Sequence, residues 1–327
     1  MKTRVVLTVD TEPSIAGAFD RPESDTPLLH EPVWGEADGE SQALGFMIRT
    51  LQAHNLVATF FVETTHTSCF SPSVMGEYVR RLTSAGQDVQ LHLHPSWCSF
   101  REGRLGDGPR ISDHCSELGE DKLAALIREG CDIIETWTGR RPTGMRTGNF
   151  STSLSVFRAM RQAGLDYASN ICTAVSAPPE EELRVTGGVY RFAGITELPV
   201  TCFFDLGPVG RGRLRPMQIT ALSAAEHIGL LNQCHDKGME VAMIVTHPFE
   251  FIKVDNYRYE NIRANRLVQK RLEKVCRFLD DNRDRFEVVP LAEAASRSIE
   301  APPAKLQGSP LLSTLRAVEN FTNDRFL

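Results

Sequence analysis

The sequence has no long hydrophobic run. Its first apolar stretch, residues 5–9, is interrupted by Thr8 and ends at Asp10, too short for a secretory signal or a membrane span. On that basis a cytoplasmic location with no transmembrane segment is expected. C-x-x-C pairs are also missing: the 8 cysteines stand singly between Cys69 and Cys276. That spacing argues against a four-cysteine structural zinc and a dense disulfide framework and suits small core fillers. There is no basic excess, with 36 Lys+Arg against 42 Asp+Glu for a net charge of −6, so nucleic acid is not an expected partner. The sequence contains neither G-x-G-x-x-G nor G-x-x-x-x-G-K-[ST], the common nucleotide-phosphate loops, and no internal repeat stands out.

What is present is an ordinary globular composition, 41% hydrophobic and 24% charged over 327 residues, enough for one large domain or two small ones. Short runs rich in Val, Ile, Leu and Phe read as strands at 4–9, 56–62, 88–93, 165–168, 197–201, 241–246 and 286–290. Amphipathic stretches at 42–54, 120–137, 223–236 and 261–282 lie between them, the third opening on a capping box of Ser223 and Glu226. Strands alternating with helices imply parallel pairing through right-handed crossovers. The expected fold is therefore α/β, a distorted (β/α)7-type barrel of mainly parallel strands ringed by helices, with a doubly wound open sheet as the alternative. Residues 1–297 form the expected barrel. Residues 298–327, with an Ala-Pro-Pro break and a weak helical pattern, read as a docked or partly mobile tail. Irregular segments at 13–40, 95–119 and 170–188 each follow a strand, which in a barrel puts them on the C-terminal face, where barrel enzymes keep their active sites.

Polar residues mark several strand ends. Strand side chains alternate, so Thr8, Asp10 and Glu12 share one face, and Gln90, His92 and His94 share another. Burying them without partners is costly, and the leucines between them suit the helix-facing side. A divalent cation above His92 and His94 can take one nitrogen from each. An oxygen from Asp10 or Glu12 completes three ligands, and the remaining position stays open to water as in catalytic zinc sites. Read alone, H-x-H also fits two capping histidines and Asp-x-Glu also fits a turn. Arg146, in Met145-Arg146-Thr147-Gly148-Asn149, can pair with a carboxylate, and His247 ends the apolar run 241–246. Trp34, Trp97 and Phe100 lie on the long loops and suit either stacking on a ligand ring or loop anchoring. Glu63, His66 and Glu250 also follow strands, and Glu250 suits either orienting His247 or capping a turn. The acidic run Glu31, Glu36, Asp38 and Glu40 reads as a solvated rim.

Taken in order, these motifs resemble the NodB-homology polysaccharide deacetylases, carbohydrate esterase family four. Leu7-Thr8-Val9-Asp10-Thr11-Glu12 is similar to the first motif and Ala58-Thr59-Phe60-Phe61-Val62 to the strand after it. Residues 86–94 resemble the metal-histidine strand, Arg146 with Gly148 and Phe150 the arginine motif, and Thr246-His247-Pro248 the final histidine motif. The resemblance spans about residues 3–295 and looks closest to a WalW-like, Asp-x-Glu branch tied to lipopolysaccharide biosynthesis. It implies metal-dependent removal of N-acetyl groups from an amino-sugar unit of a polysaccharide or lipopolysaccharide precursor. The metal, most simply Zn2+, would be held by Glu12, His92 and His94. Asp10 would act as general base, His247 as general acid, and Arg146 would orient Asp10. Two positions depart from the family pattern: Thr11 stands where a second aspartate is usual, and Ser96 where the second histidine is usual. In one reading Glu12 replaces the missing aspartate; in another Asp10 itself binds the metal; in a third the metal is lost. A barrel hydrolase of non-sugar amides or ureides and a non-catalytic carbohydrate-binding relative are the competing functions.

Overall fold

The computed structural model describes residues 1–101, 104–207, 212–298 and 300–326. Nine strands make one curled sheet: β1 Thr3–Thr11, β2 Ala58–Glu63, β3 Asp88–Leu93, β4 Gly144–Thr147, β5 Tyr167–Ala168, β6 Tyr190–Phe192, β7 Ile195–Glu197, β8 Val241–Thr246 and β9 Phe286–Val288. Their spatial order is β6-β7-β5-β4-β3-β2-β1-β8, and β9 joins β1 at its start. All pairings are parallel except β6 with β7, as crossover connections require.

The ladder stops between β7 and β8. Residues 198–201 cross that gap irregularly and bond on both sides. Leu198 N–H and Val200 N–H donate to Ala168 O and Ile171 O, both at 2.9 Å, and Thr201 N–H donates to Met243 O at 3.2 Å. The run expected as a strand over 197–201 is thus regular only at its first residue. The result is a distorted barrel whose seam is sealed by loop backbone.

Helices wrap the sheet: α1 Leu44–Ala53, α2 Pro72–Ser84, α3 Glu120–Thr138, α4 Leu154–Gln162, α5 Ala224–Asp236, α6 Arg266–Asp281, α7 Leu291–Arg297 and α8 Pro310–Phe326. The capping box opens α5, with Glu226 N–H on Ser223 Oγ at 3.3 Å and Ser223 N–H on Glu226 Oε2 at 2.8 Å. Gly130 lets α3 lie against the sheet, because a Cβ there would meet Leu91 Cδ1 and Thr64 Oγ1 at 2.7 Å.

The alternation of β1 to β3 and β8 splits the apolar residues into two cores. Val5, Leu7, Val9, Phe60, Leu91 and Ile244 face the helices. Val6, Phe61, Met243 and Val245 fill the barrel interior together with Leu198 and Val200 from the seam. Each such fully buried side chain contributes about 2 kcal/mol. Above the inner core, toward the C-terminal ends of the strands, the interior turns polar with Thr8, Asp10, His92 and Arg146, all buried. Strand register aligns Glu63 with His92 and His92 with Arg146.

Candidate metal centre and active site

The period of two along β1 and β3 brings the acid and both imidazoles together. One donor atom from each of Glu12, His92 and His94 lies within 4.8 Å of the others. Glu12 Oε2 is 3.1 Å from His92 Nε2 and 2.6 Å from His94 Nε2. The far ring nitrogens are held from behind: His92 Nδ1–H donates to Arg146 O at 2.9 Å and His94 Nδ1–H to Asp113 Oδ2 at 2.8 Å. Carbonyl and carboxylate can only accept, so both rings carry the proton on Nδ1 and turn Nε2 toward Glu12. Metal-binding histidines are oriented in this way, so the donor set fits a divalent cation of the nitrogen- and oxygen-binding class.

Electrostatics bind the trio tightly. Burial opposes a charge on Glu12, but the neighbouring His94 and the bonds to both rings hold its carboxyl well below the usual range. Burial likewise opposes a charge on His94, and Glu12 with Asp113 raises it well above the usual imidazole value.

Asp113 sits in the long 95–119 segment and does more than meet His94. It takes the Ser96 hydroxyl on Oδ1 and Asn149 Nδ2–H on Oδ2, the latter at 2.7 Å. Gly148 closes the other side of the ring. A Cβ at Gly148 would fall 2.4 Å from His94 Cε1, 2.5 Å from Nδ1 and 2.6 Å from Nε2, so only glycine lets the histidine occupy this place.

Arg146, fully buried, organises the layer beneath. Its Nη1–H groups donate to Asp10 Oδ1 at 2.7 Å and Thr8 Oγ1 at 2.9 Å, its Nε–H to Ser169 O at 2.9 Å, and its Nη2–H to Ser169 Oγ at 2.7 Å. The guanidinium lies over Phe61 at 4.4 Å and Phe150 at 5.4 Å, a favourable cation–π arrangement. Asn149 and Phe150 hold φ of +55° and +51°. Two successive side chains in the left-handed region are strained, and strain of this kind gathers at working sites. Here the turn lays Phe150 against Arg146 and aims Asn149 at Asp113.

Opposite the trio stands His247, its Nε2 3.8 Å from Asp10 Oδ2. Its Nδ1–H donates to Glu250 Oε1 at 3.0 Å, and Phe249 stacks on the ring at 4.8 Å between centroids. Glu250 also accepts the Thr246 hydroxyl and Gln218 Nε2–H, each at 2.5 Å. Burial opposes charging of His247, but the Glu250 carboxylate and its hydrogen bond, then Asp10 and Glu12, push the imidazole up to about 9.

All six residues singled out at strand ends, Asp10, Glu12, His92, His94, Arg146 and His247, thus converge at one mouth. Glu63 and His66 do not open into it. Both are fully buried, and Glu63 accepts Thr65 N–H and His66 N–H, each at 2.7 Å, with His66 Nδ1–H at 2.9 Å. They anchor the turn Thr65–Ser68, whose Thr65 hydroxyl donates to His94 O at 2.8 Å. Trp97 and Phe100 are buried with Ala18 in a loop core, and Trp34 stacks on Tyr78 at 5.4 Å. These aromatics anchor loops. No sequence pattern marks Asp113 or Ser169, since each acts from a long irregular segment. Gly148 is legible only in part, as a glycine two residues past a strand-end arginine.

No family model matches the chain, and no curated protein does. Among solved structures, one from Mycobacterium smegmatis assigned as a polysaccharide deacetylase superposes with a TM-score of 0.50 at 16% identity, covering 93% of this chain and 96% of that one. A family 4 carbohydrate esterase from Streptomyces lividans, in complex with acetate, gives 0.44 at 13% identity over 92% and 98%. The peptidoglycan deacetylase PdaC of Bacillus subtilis gives 0.41 at 13% over 99% and 98%. The chain is therefore similar in fold to the first of these, at low sequence identity.

Proposed function

We propose that the chain is a metal-dependent hydrolase that removes N-acetyl groups from an amino-sugar unit of a polysaccharide or lipopolysaccharide precursor. The observation that carries this reading is the pairing of two back-supported imidazoles and Glu12 with a second acid–imidazole pair, Asp10 and His247, across the same mouth. The ordered motifs on this fold favour the N-acetyl sugar class and the Asp-x-Glu branch. No disulfide joins the cysteines among the described residues, which suits a reducing compartment and hence a cytoplasmic precursor as substrate.

Glu12, His92 and His94 would hold the cation, and zinc suits two imidazoles and a carboxylate best. When bound, it supplies a Lewis acid for the amide carbonyl and a water acidified toward about pKa 7. Asp10 has Oδ1 taken by Arg146 and Oδ2 turned to the mouth, where it accepts the water proton as general base. His247 keeps Nδ1–H on Glu250 and presents Nε2–H, from which it donates a proton to the leaving amine nitrogen. Arg146 acts through Asp10 as a positioning residue, fixing the rotamer that leaves Oδ2 free.

Metal analysis of the purified protein, with acetate release from N-acetylated chitooligosaccharides before and after chelation, tests the reading. Stoichiometric zinc and chelator-sensitive acetate release are expected. Asp10→Asn should keep the metal and the fold and lose about 10²-fold or more in turnover. Acetate release indifferent to chelation, or to Asp10→Asn, overturns it.

A further inference from the structure

Helix α8 is inside out. The side it turns to the protein is polar: Ser313, Arg316 and Asn323 are 1%, 5% and 6% exposed. Arg316 pairs with Asp205 and Glu226, both at 2.6 Å, and Ser313 Oγ–H donates to Asp205 at 2.6 Å. Arg271 of α6 donates to Asn320 Oδ1 at 2.7 Å. The side it turns to solvent is apolar: Leu311 is 69% exposed, Leu315 51%, Val318 60% and Phe321 54%. A helix docked for its own packing buries the apolar stripe. This one uses buried ion pairs to keep that stripe outward.

Beside the ridge runs a groove of about 420 Å3 lined by Leu267 of α6, Leu315, Val318, Glu319, Thr322 and Asn323, its one carboxylate, Glu319, being held by Arg271 at 3.1 Å. On α6, exposed Arg266, Lys270, Lys274 and Arg277 recur at helical spacing and flank the Leu267 side. The ridge is therefore edged by a row of four cations on a chain whose overall net charge is −6.

We propose that α8 and the exposed face of α6 form a docking surface for an anionic lipid bilayer, with the apolar ridge in the interface and the basic row on the headgroups. Charge complementarity favours this occupant: an apolar helical face beside lysines and arginines is the pattern of interfacial membrane helices. Area disfavours a second copy. Two helices of 17 and 16 residues present strips of about 25 by 10 Å each, together about 500 Å2 and short of the roughly 800 Å2 per partner of a standard interface. The placement also serves the mouth. Asn323 Nδ2–H lies 3.4 Å from Asn265 Oδ1, and Asn265 Nδ2–H donates to Glu250 O at 3.1 Å, so the end of α8 lies one residue away from the loop that holds His247.

Co-sedimentation with phosphatidylcholine vesicles, with and without phosphatidylglycerol, tests the surface on the full chain. Binding to the anionic vesicles at low salt and release at high salt are expected. Lys270→Gln with Lys274→Gln should weaken binding about 25-fold, at about fivefold per cation. Leu315→Ser with Val318→Ser should abolish it, and unchanged circular dichroism and melting show that these exposed changes leave the fold intact. No binding to anionic vesicles, equal binding by wild type and both variants, or a dimer in light scattering that the ridge variant converts to monomer, overturns the proposal.

Discussion

Substituting Gly148→Ala adds one methyl group at a position that is not itself a candidate ligand, yet it should weaken the metal centre. The methyl would meet three ring atoms of His94 at 2.4–2.6 Å, whereas carbon contacts relax only near 3.5 Å or beyond, so the ring must retreat by about 1 Å. Gly148 does not hold a positive φ, so the backbone itself accepts alanine and the whole effect falls on the ring. His94 cannot retreat freely, being held by Asp113 at 2.8 Å and facing Glu12 at 2.6 Å. A shift of that size stretches at least one of these contacts beyond hydrogen-bond or coordination range. Displacing an orienting contact typically costs 10- to 100-fold in metal affinity, and a misplacement of about 1 Å costs about 10²-fold in turnover. The overpacking itself should cost about 1–3 kcal/mol. Zinc affinity from competition with a chromophoric chelator, together with urea denaturation, measures both. Gly229→Ala is the control, since a Cβ there meets nothing within 4 Å inside α5, and it should leave zinc affinity unchanged. A Gly148→Ala protein that binds zinc as tightly as wild type refutes the claim that His94 is a ligand in this position.

Three further outcomes are expected. Asp113→Asn should lower zinc affinity 10- to 100-fold by weakening the support of His94, read by the same competition; an unchanged value removes Asp113 from the site. In chelator-treated protein the His247 imidazole should titrate near 9 by NMR, and Glu250→Gln, which removes the main cause of the rise, should bring it down. Since that value lies above the unfolded one of 6.5, the stability it contributes is full below that unfolded value and is lost as pH rises through the folded one. Glu197 is a different case. Burial, opposed by the N–H groups of Asn170 and Ile171, pushes its carboxyl from 4.5 to about 7. The folded state then binds a proton that the unfolded state lacks between pH 4.5 and 7, so stability falls as pH rises across that window, by about 3 kcal/mol. Urea denaturation at the two ends should show this slope in wild type and a flatter one in Glu197→Gln; equal slopes refute it.

The fold is legible where period and burial agree. β1, β3 and β8 read directly because their apolar residues alternate or run continuously, and α5 because Ser223 and Glu226 announce it. Helix α2 escapes that reading although Ser71-Pro72 opens it and Met75, Tyr78, Val79 and Leu82 give it a buried face; its signal is present. α4 is only nine residues long, too short for its periodicity to stand out. The seam at 198–201 reads as strand because Leu198 and Val200 alternate as in a strand. Their N–H groups in fact bond to Ala168 and Ile171 across the gap, a pairing fixed by barrel closure and invisible to local pattern.

The same distinction governs the site. Residues that face the mouth from strands are readable, because a side chain on a strand is aimed by a period of two and its costly polarity among apolar neighbours is visible in one dimension. This is also why an acid at Glu12, and not one at the position of Thr11, reaches the candidate metal site beside His92 and His94. Asp10 and Glu12 share a face with Thr8, whereas the Thr11 hydroxyl, buried on the opposite face, has no hydrogen-bond partner among the described residues. Groups that aim those side chains are not readable. Asp113 reaches His94, Ser169 reaches Arg146 and Asn149 braces Asp113, all from loops whose paths depend on closing the barrel, and nothing in their spacing marks them. A second aspartate restored at Thr11 therefore makes a decisive comparison. Thr11→Asp should put a carboxylate into the apolar layer between β1 and the helices, lowering stability by about 3 kcal/mol or more without strengthening zinc binding. Tighter zinc in that variant would show that β1 turns its odd residues to the mouth and that Glu12 is not the ligand.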